Sequence, residues 1–196
     1  MPLDWKDYYN LHYGEHAVIL GKGPSASVWA NSRPPERHRV IAINDAGKIA
    51  RASYNISRHN WIHYGTPGPW FMPVVDGWQL DNMPYAKAPF RRPAIEDAVW
   101  FLPIPCPGKV TDMDMLRDFR LMPTPGGSAI NAIVLAKYMG FSSIDFVGVD
   151  GGIGYATPTY DKLAYRPGTD NYDALRRHTE WYAQLYYPNA HTFFTP

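Results

Sequence analysis

The stretch Ala17-Val-Ile-Leu-Gly-Lys-Gly-Pro-Ser25, answered by Arg39-Val-Ile-Ala-Ile-Asn-Asp45, decides the fold. Residues 17–20 form a short apolar run with two β-branched members, the composition of a strand buried on both faces. The run stops at Gly21-Lys22-Gly23, where two glycines permit backbone angles closed to other residues. Pro24 suits the first turn of a helix, and Ser25 and Ser27 bring hydroxyls beside it. A strand, a glycine turn and a helix start gather free N–H groups and a positive helix end at one point. Such a point attracts anions, phosphate above all. Residues 40–43 predict a second buried strand that ends in Asn44 and Asp45, and ligands of open α/β sheets sit at that carboxyl end. The turn is neither GxGxxG nor a Walker loop, and glycines that serve only close packing remain the alternative.

Working outward, residues 4–13 read as a short helix capped by Asp4, with Leu3, Tyr8 and Leu11 facing the body. The first helix runs over 24–31, a polar loop over 32–38, and residues 46–53 are expected to form a helix with Ile49 inward. Strands are expected over 61–64, 70–75 and 98–104, the last favoured at an edge by its proline. Residues 77–93 read as a long surface loop. A short helix over 111–120 takes Thr111 as cap, and a helix over 128–139 stops at Gly140. A strand over 143–148, a tyrosine-bearing loop over 153–169, a helix over 170–187 and a last strand over 191–195 complete the series. This alternation predicts a single Rossmann-like α/β domain over 1–196. It is a three-layer sandwich with a mainly parallel sheet and a Pro- and aromatic-rich excursion over about 65–97.

Composition narrows the function. A net charge of +1 leaves no footprint for sequence-independent grip on nucleic acid. One cysteine, Cys106, excludes an internal disulfide and a cysteine-rich zinc site. With no apolar run near the roughly 18 residues of a membrane span and no leader-like start, a cytoplasmic setting is expected. The seven histidines are not expected to build a metal site. The 19 prolines, about twice the usual share, fall mostly between 67 and 125 and predict extended, aromatic-packed chain there. Arg91-Arg92 and Arg176-Arg177 read as solvated pairs.

Three blocks in order carry a resemblance: Gly21-Lys-Gly-Pro-Ser25; Gly126-Gly-Ser128 opening a helix; and Ile144-Asp-Phe-Val-Gly-Val-Asp150 followed by Tyr155-Ala156. Together they resemble the clan that joins the family-42 sialyltransferases with the MptE-like pterin pyrophosphokinases. The match spans the first 45 residues and about 123–196. The resemblance implies that Gly21, Lys22, Gly23, Pro24 and Ser25, with Gly126, Gly127 and Ser128, line the phosphates of a nucleotide or nucleotide-sugar. It implies that Asn44, Asp45 and Asp150 border ribose and base. It implies a glycosyltransferase that needs no metal and aids the leaving phosphate with tyrosine hydroxyls, for which Tyr155, Tyr160 and Tyr165 are available. The sialyltransferases' general-base histidine has no counterpart in Arg166-Pro-Gly-Thr-Asp170, so Asp170 or Asp150 is the candidate base for a hydroxyl acceptor. The acceptor is left open among glycan, small molecule and modified nucleobase, as is a homo-oligomeric state. Two alternatives stand beside this expectation. One is a pyrophosphokinase with Mg²⁺ on Asp45, Asp150 or Asp76; the other is a nucleotide-binding module without catalysis.

Overall fold

The computed structural model describes residues 4–32, 38–59, 65–74, 98–104, 109–123, 127–151 and 172–195. These residues hold one sheet of eight strands, every adjacent pair parallel. In chain order the strands are β1 (His16–Leu20), β2 (Arg39–Ile43), β3 (Tyr54–Ile56), β4 (Trp70–Pro73), β5 (Val99–Ile104), β6 (Leu121–Pro123), β7 (Ser143–Val147) and β8 (His191–Phe193). Across the sheet the order is β6-β5-β4-β3-β2-β1-β7-β8. The helices are α1 (Ser25–Ser32), α2 (Met113–Phe119), α3 (Ser128–Tyr138) and α4 (Tyr172–Tyr186). The expected Rossmann-like α/β sandwich is the fold observed.

The alternation along β1 and β2 shows why three layers form. Ala17, Ile19, Ile41 and Ile43 enter the larger core with α3 and α4 residues such as Ile130, Ile133 and Tyr182. Val18, Leu20, Val40 and Ala42 turn to the other face and pack on Ala26 and Trp29 of α1. Both faces of these strands are therefore dry, as parallel sheets require. Helix α3 is buried along nearly its whole length, and Gly140 ends it at φ +86°.

Several expectations change. Residues 4–13 hold one 3-10 turn, Trp5–Tyr8, rather than a helix. Asp4 and Asp7 close a reciprocal capping box there, and Asn10 then leaves the helical region at φ +55°. Trp5 and Tyr8 are the buried anchors, while Leu11 is exposed and Leu3 lies outside the described residues. Trp5 stacks on Tyr138 at 4.3 Å, donates to the Leu116 carbonyl at 2.9 Å, and accepts from the Tyr138 hydroxyl at 2.9 Å. The helix expected over 46–53 is a 3-10 segment, Asn44–Lys48, followed by β3, which the sequence reading missed. The cap of α2 is Asp112, accepting from Met115 N at 2.9 Å, rather than Thr111. Arg120 at φ +53° then turns the chain into β6, a further strand not anticipated. Strand β5 is internal, between β4 and β6, despite Pro103. Leu102 N donates toward β6, so the N–H that Pro103 lacks would point toward β4, past its last pairing at Pro73. The strand expected over 61–64, the loop over 77–93, Arg91-Arg92 and Cys106 lie outside the described residues.

Candidate functional site

Strand order reverses beside β1: β2 continues the sheet on one side and β7 on the other. At such a switch point the following helices leave on opposite faces and open a crevice at the carboxyl ends. A cleft of about 330 Å³ lies there. Its walls come from the turn after β1, from Asn44 after β2, from 148–151 after β7, and from the starts of α3 and α4. Gly21, Lys22, Gly23, Pro24, Asn44, Gly127, Ser128 and Asp150, separated widely in sequence, all line it. Gly126, Tyr155, Tyr160, Tyr165, Asp170 and Asp76 lie outside the described residues.

The glycine turn is first a close-packing device. Gly21 N donates to the Val147 carbonyl and Gly23 N to the Gly148 carbonyl, each at 2.7 Å. A Cβ on Gly21 would stand 2.8 Å from the Gly148 carbonyl carbon, and one on Gly148 2.6 Å from the Gly21 oxygen. Two backbones meet where no side chain fits.

Asp150 fills the end of α1. Its Oδ2 accepts from Ser25 N at 2.9 Å, and its Oδ1 accepts from the Ser25 hydroxyl, whose oxygen accepts in turn from Gly148 N at 2.9 Å. A Cβ on Gly23 would lie 2.8 Å from the Asp150 carboxyl carbon. The positive end of α1 is thus occupied by a carboxylate of the chain itself.

The start of α3 differs. Its N-cap, Gly127, sits at φ +76° and ψ 139°, and no side chain caps the helix. The first N–H groups of α3 therefore face the cleft with Ser128 beside them, and Leu175 of α4 closes the wall against Gly127.

Lys22 is largely buried and pairs at 3.2 Å with Asp45, which is wholly buried. Asp45 therefore sits behind the cleft as the counter-ion of Lys22 rather than on its surface. Asn44 takes φ +55°, and its buried Oδ1 accepts no hydrogen bond. Sequence reading missed three cationic residues of the lining. Arg58 and His59 follow β3, so the helix expected over 46–53 hid their place at a strand's carboxyl end. Arg176, expected to be solvated, donates to the Asp150 carbonyl at 3.0 Å, pairs with Glu180 at 3.0 Å, and lies over the Phe193 ring. Arg177 is exposed, as expected.

Among the described residues, no group of three or more His, Cys, Asp or Glu side chains is placed to hold a metal. His12 and His16 stand four apart but off any helix, His12 against Tyr54 and His16 against Ser143 and Asp145. No helix of the described residues is long and apolar enough to cross a membrane.

No protein-family model and no curated protein matches this chain. Among solved structures, the chain is similar to the MAf glycosyltransferase from Magnetospirillum magneticum AMB-1, at 14% identity and a TM-score of 0.41. That likeness covers 83% of this chain and 29% of the other, so the chain spans less than a third of that protein.

Proposed function

We propose that the cleft binds a nucleotide-sugar through its phosphates and that the chain transfers the glycosyl group to an acceptor hydroxyl. One observation carries the reading: the uncapped start of α3 opens into a cleft that Lys22, Arg58, His59 and Arg176 line with cationic or protonatable groups. Free N–H groups at a helix start, joined by lysine and arginine, suit a phosphate. The phosphates sit at Gly127 and Ser128 rather than at Ser25, whose two donors Asp150 already takes. Gly21 and Gly23 keep the floor low. Lys22 supplies charge from its buried pair, and Asn44 Oδ1, an acceptor with nothing to accept from, receives a ribose hydroxyl or base N–H.

In the transfer, the bond from the sugar carbon to the phosphate oxygen breaks and the acceptor oxygen bonds to that carbon. The acceptor's proton passes to a carboxylate, and the phosphate leaves with the electron pair onto the α3 end. Asp150 is poorly placed as that base because Ser25 engages both its oxygens; the role falls to Asp170. Leaving-group assistance falls to Tyr155, Tyr160 or Tyr165. The carboxylates that a Mg²⁺-dependent phosphotransferase would recruit are engaged already, Asp45 by Lys22 and Asp150 by Ser25, which favours the metal-free reading.

A thermal-shift screen against nucleotides and nucleotide-sugars, with and without Mg²⁺, tests this. A ligand at about 100 times its Kd adds about 2.7 kcal/mol, roughly 5–11 °C for a chain of this size. The expected result is stabilisation by one nucleotide-sugar without metal, weakened by Asn44→Ala, with product formed on addition of acceptors. Stabilisation that requires Mg²⁺ would transfer the reading to the phosphotransferase. Binding without turnover would leave a sensor module, and no stabilisation by any nucleotide would overturn the reading.

A further inference from the structure

A second cleft, of about 750 Å³, lies at the other end of the sheet, where the amino-terminal ends of β2, β3 and β4 meet. Arg39, Arg51, Ser53, Tyr8 and Tyr54 line it, and no carboxylate is among its described lining residues. One wall is stiff. Buried Asn55 donates to the Pro67 carbonyl at 3.0 Å and accepts from the Thr66 hydroxyl at 3.1 Å, which pins the turn 65–69.

The opposite wall carries a relay. The Tyr54 hydroxyl lies 2.5 Å from His12 Nε2, His12 Nδ1 lies 3.2 Å from Glu15 Oε1, and Glu15 Oε2 lies 3.1 Å from Arg39 Nε. The His12 ring is buried and stacked on Phe141 at 4.8 Å. An ionised Glu15 only accepts, so His12 Nδ1 carries the proton and Nε2 accepts from the Tyr54 O–H. A hydroxyl, an imidazole and a carboxylate in this order can move a proton to and from the hydroxyl oxygen. Burial pushes the Tyr54 phenol above its ordinary range, which keeps it protonated.

We propose that this cleft binds a small phosphate-bearing molecule between Arg39, Arg51 and the Tyr54 hydroxyl, and that binding draws one proton onto His12. Arg51 is exposed and forms no ion pair among the described residues, so its guanidinium fork is presented to the cleft. Two guanidinium groups and a hydroxyl supply three donor groups for a tetrahedral oxyanion. For Tyr54 to donate to that anion, its O–H turns away from His12 Nε2. The imidazole then takes a proton from water and donates to the phenol oxygen, and Glu15 balances the new charge. The groups facing the ring are the Tyr54 hydroxyl and Glu15, with Arg39 behind Glu15 and Phe141 on its face. No covalent bond changes other than that proton's. The site shares no lining residue with the first cleft.

The test is a titration of the full chain with inorganic phosphate, following the His12 ring nitrogens by NMR at about pH 7.5, above the ordinary imidazole range. The expected result is a saturable shift of both nitrogens toward the doubly protonated pattern. Arg51→Ala weakens the apparent affinity about tenfold, the worth of one charge-assisted hydrogen bond. Tyr54→Phe, which keeps the ring, abolishes the proton uptake, and Arg176→Ala in the first cleft leaves the titration unchanged. An absent saturable shift would overturn the proposal. So would a midpoint indifferent to Arg51→Ala, or proton uptake that survives Tyr54→Phe.

Discussion

Replacing Asp150 by alanine separates a structural cap from a group that acts on a ligand. The carboxylate accepts from both the N–H and the hydroxyl of Ser25 at the start of α1. A hydrogen bond to an ionised group is worth about 1.5–3 kcal/mol, and Asp150 is partly exposed, so each is reduced to about 1 kcal/mol. The favourable field at the helix end adds about 0.3–1 kcal/mol. The Ser25 oxygen keeps its bond from Gly148 N, so the turn after β7 is not lost. Asp150→Ala should therefore cost about 2–3 kcal/mol, roughly 4–12 °C in Tm. Asp150→Asn keeps an acceptor for Ser25 N and should cost about 1 kcal/mol. Denaturant unfolding with an unchanged m-value is the assay. Vacating the helix end should also let sulfate or phosphate stabilise Asp150→Ala more than the parent chain. A cost of Asp150→Ala below about 0.5 kcal/mol would refute the capping account, as would equal stabilisation of both proteins by anions.

Three further outcomes follow from the packing and charge. Gly21→Ala drives a Cβ into the Gly148 carbonyl, backbone against backbone, and should cost about 3 kcal/mol by denaturant unfolding. Trp5→Ala removes a wholly buried indole stacked on Tyr138, and should cost about 3–5 kcal/mol by the same measurement. Hydrogen bonds from His12 and then Arg39 hold the Glu15 carboxyl below its ordinary value. Its contribution to stability is therefore present above the unfolded carboxyl's pKa and lost as pH falls through the lower folded one. Glu15→Gln should flatten the acid limb of the stability–pH curve in that window, while an acid limb identical to the parent's would contradict the assignment.

The first and last thirds of the sheet were legible because their signals are local. Two β-branched apolar runs, a glycine turn and a helix stopped by Gly140 identify β1, β2, α3 and β7 without reference to anything distant. Strands β3 and β6 were not legible. Each has three residues, too few for a periodicity, and each is a strand only because a neighbour supplies its hydrogen bonds. Arg58 and His59 were missed for the same reason, since their place at the cleft follows from β3. The cleft's glycines, Asn44 and Asp150 were found because strand-end positions can be read from the runs that precede them.

The sequence by itself determined that this chain forms a parallel α/β sheet and which strand ends meet at its crevice. Hydrophobic runs and glycine turns act within a few residues and carry that information alone. Which helix end stays open to an anion was decided only by the tertiary structure. Asp150 reaches Ser25 across 125 positions of chain and occupies α1, whereas no side chain reaches the start of α3. The relay of Tyr54, His12 and Glu15 likewise exists only once β3 takes its place in the sheet. Charge and hydrogen bonding act through space, and the partners that complete them are brought together only by the folded sheet.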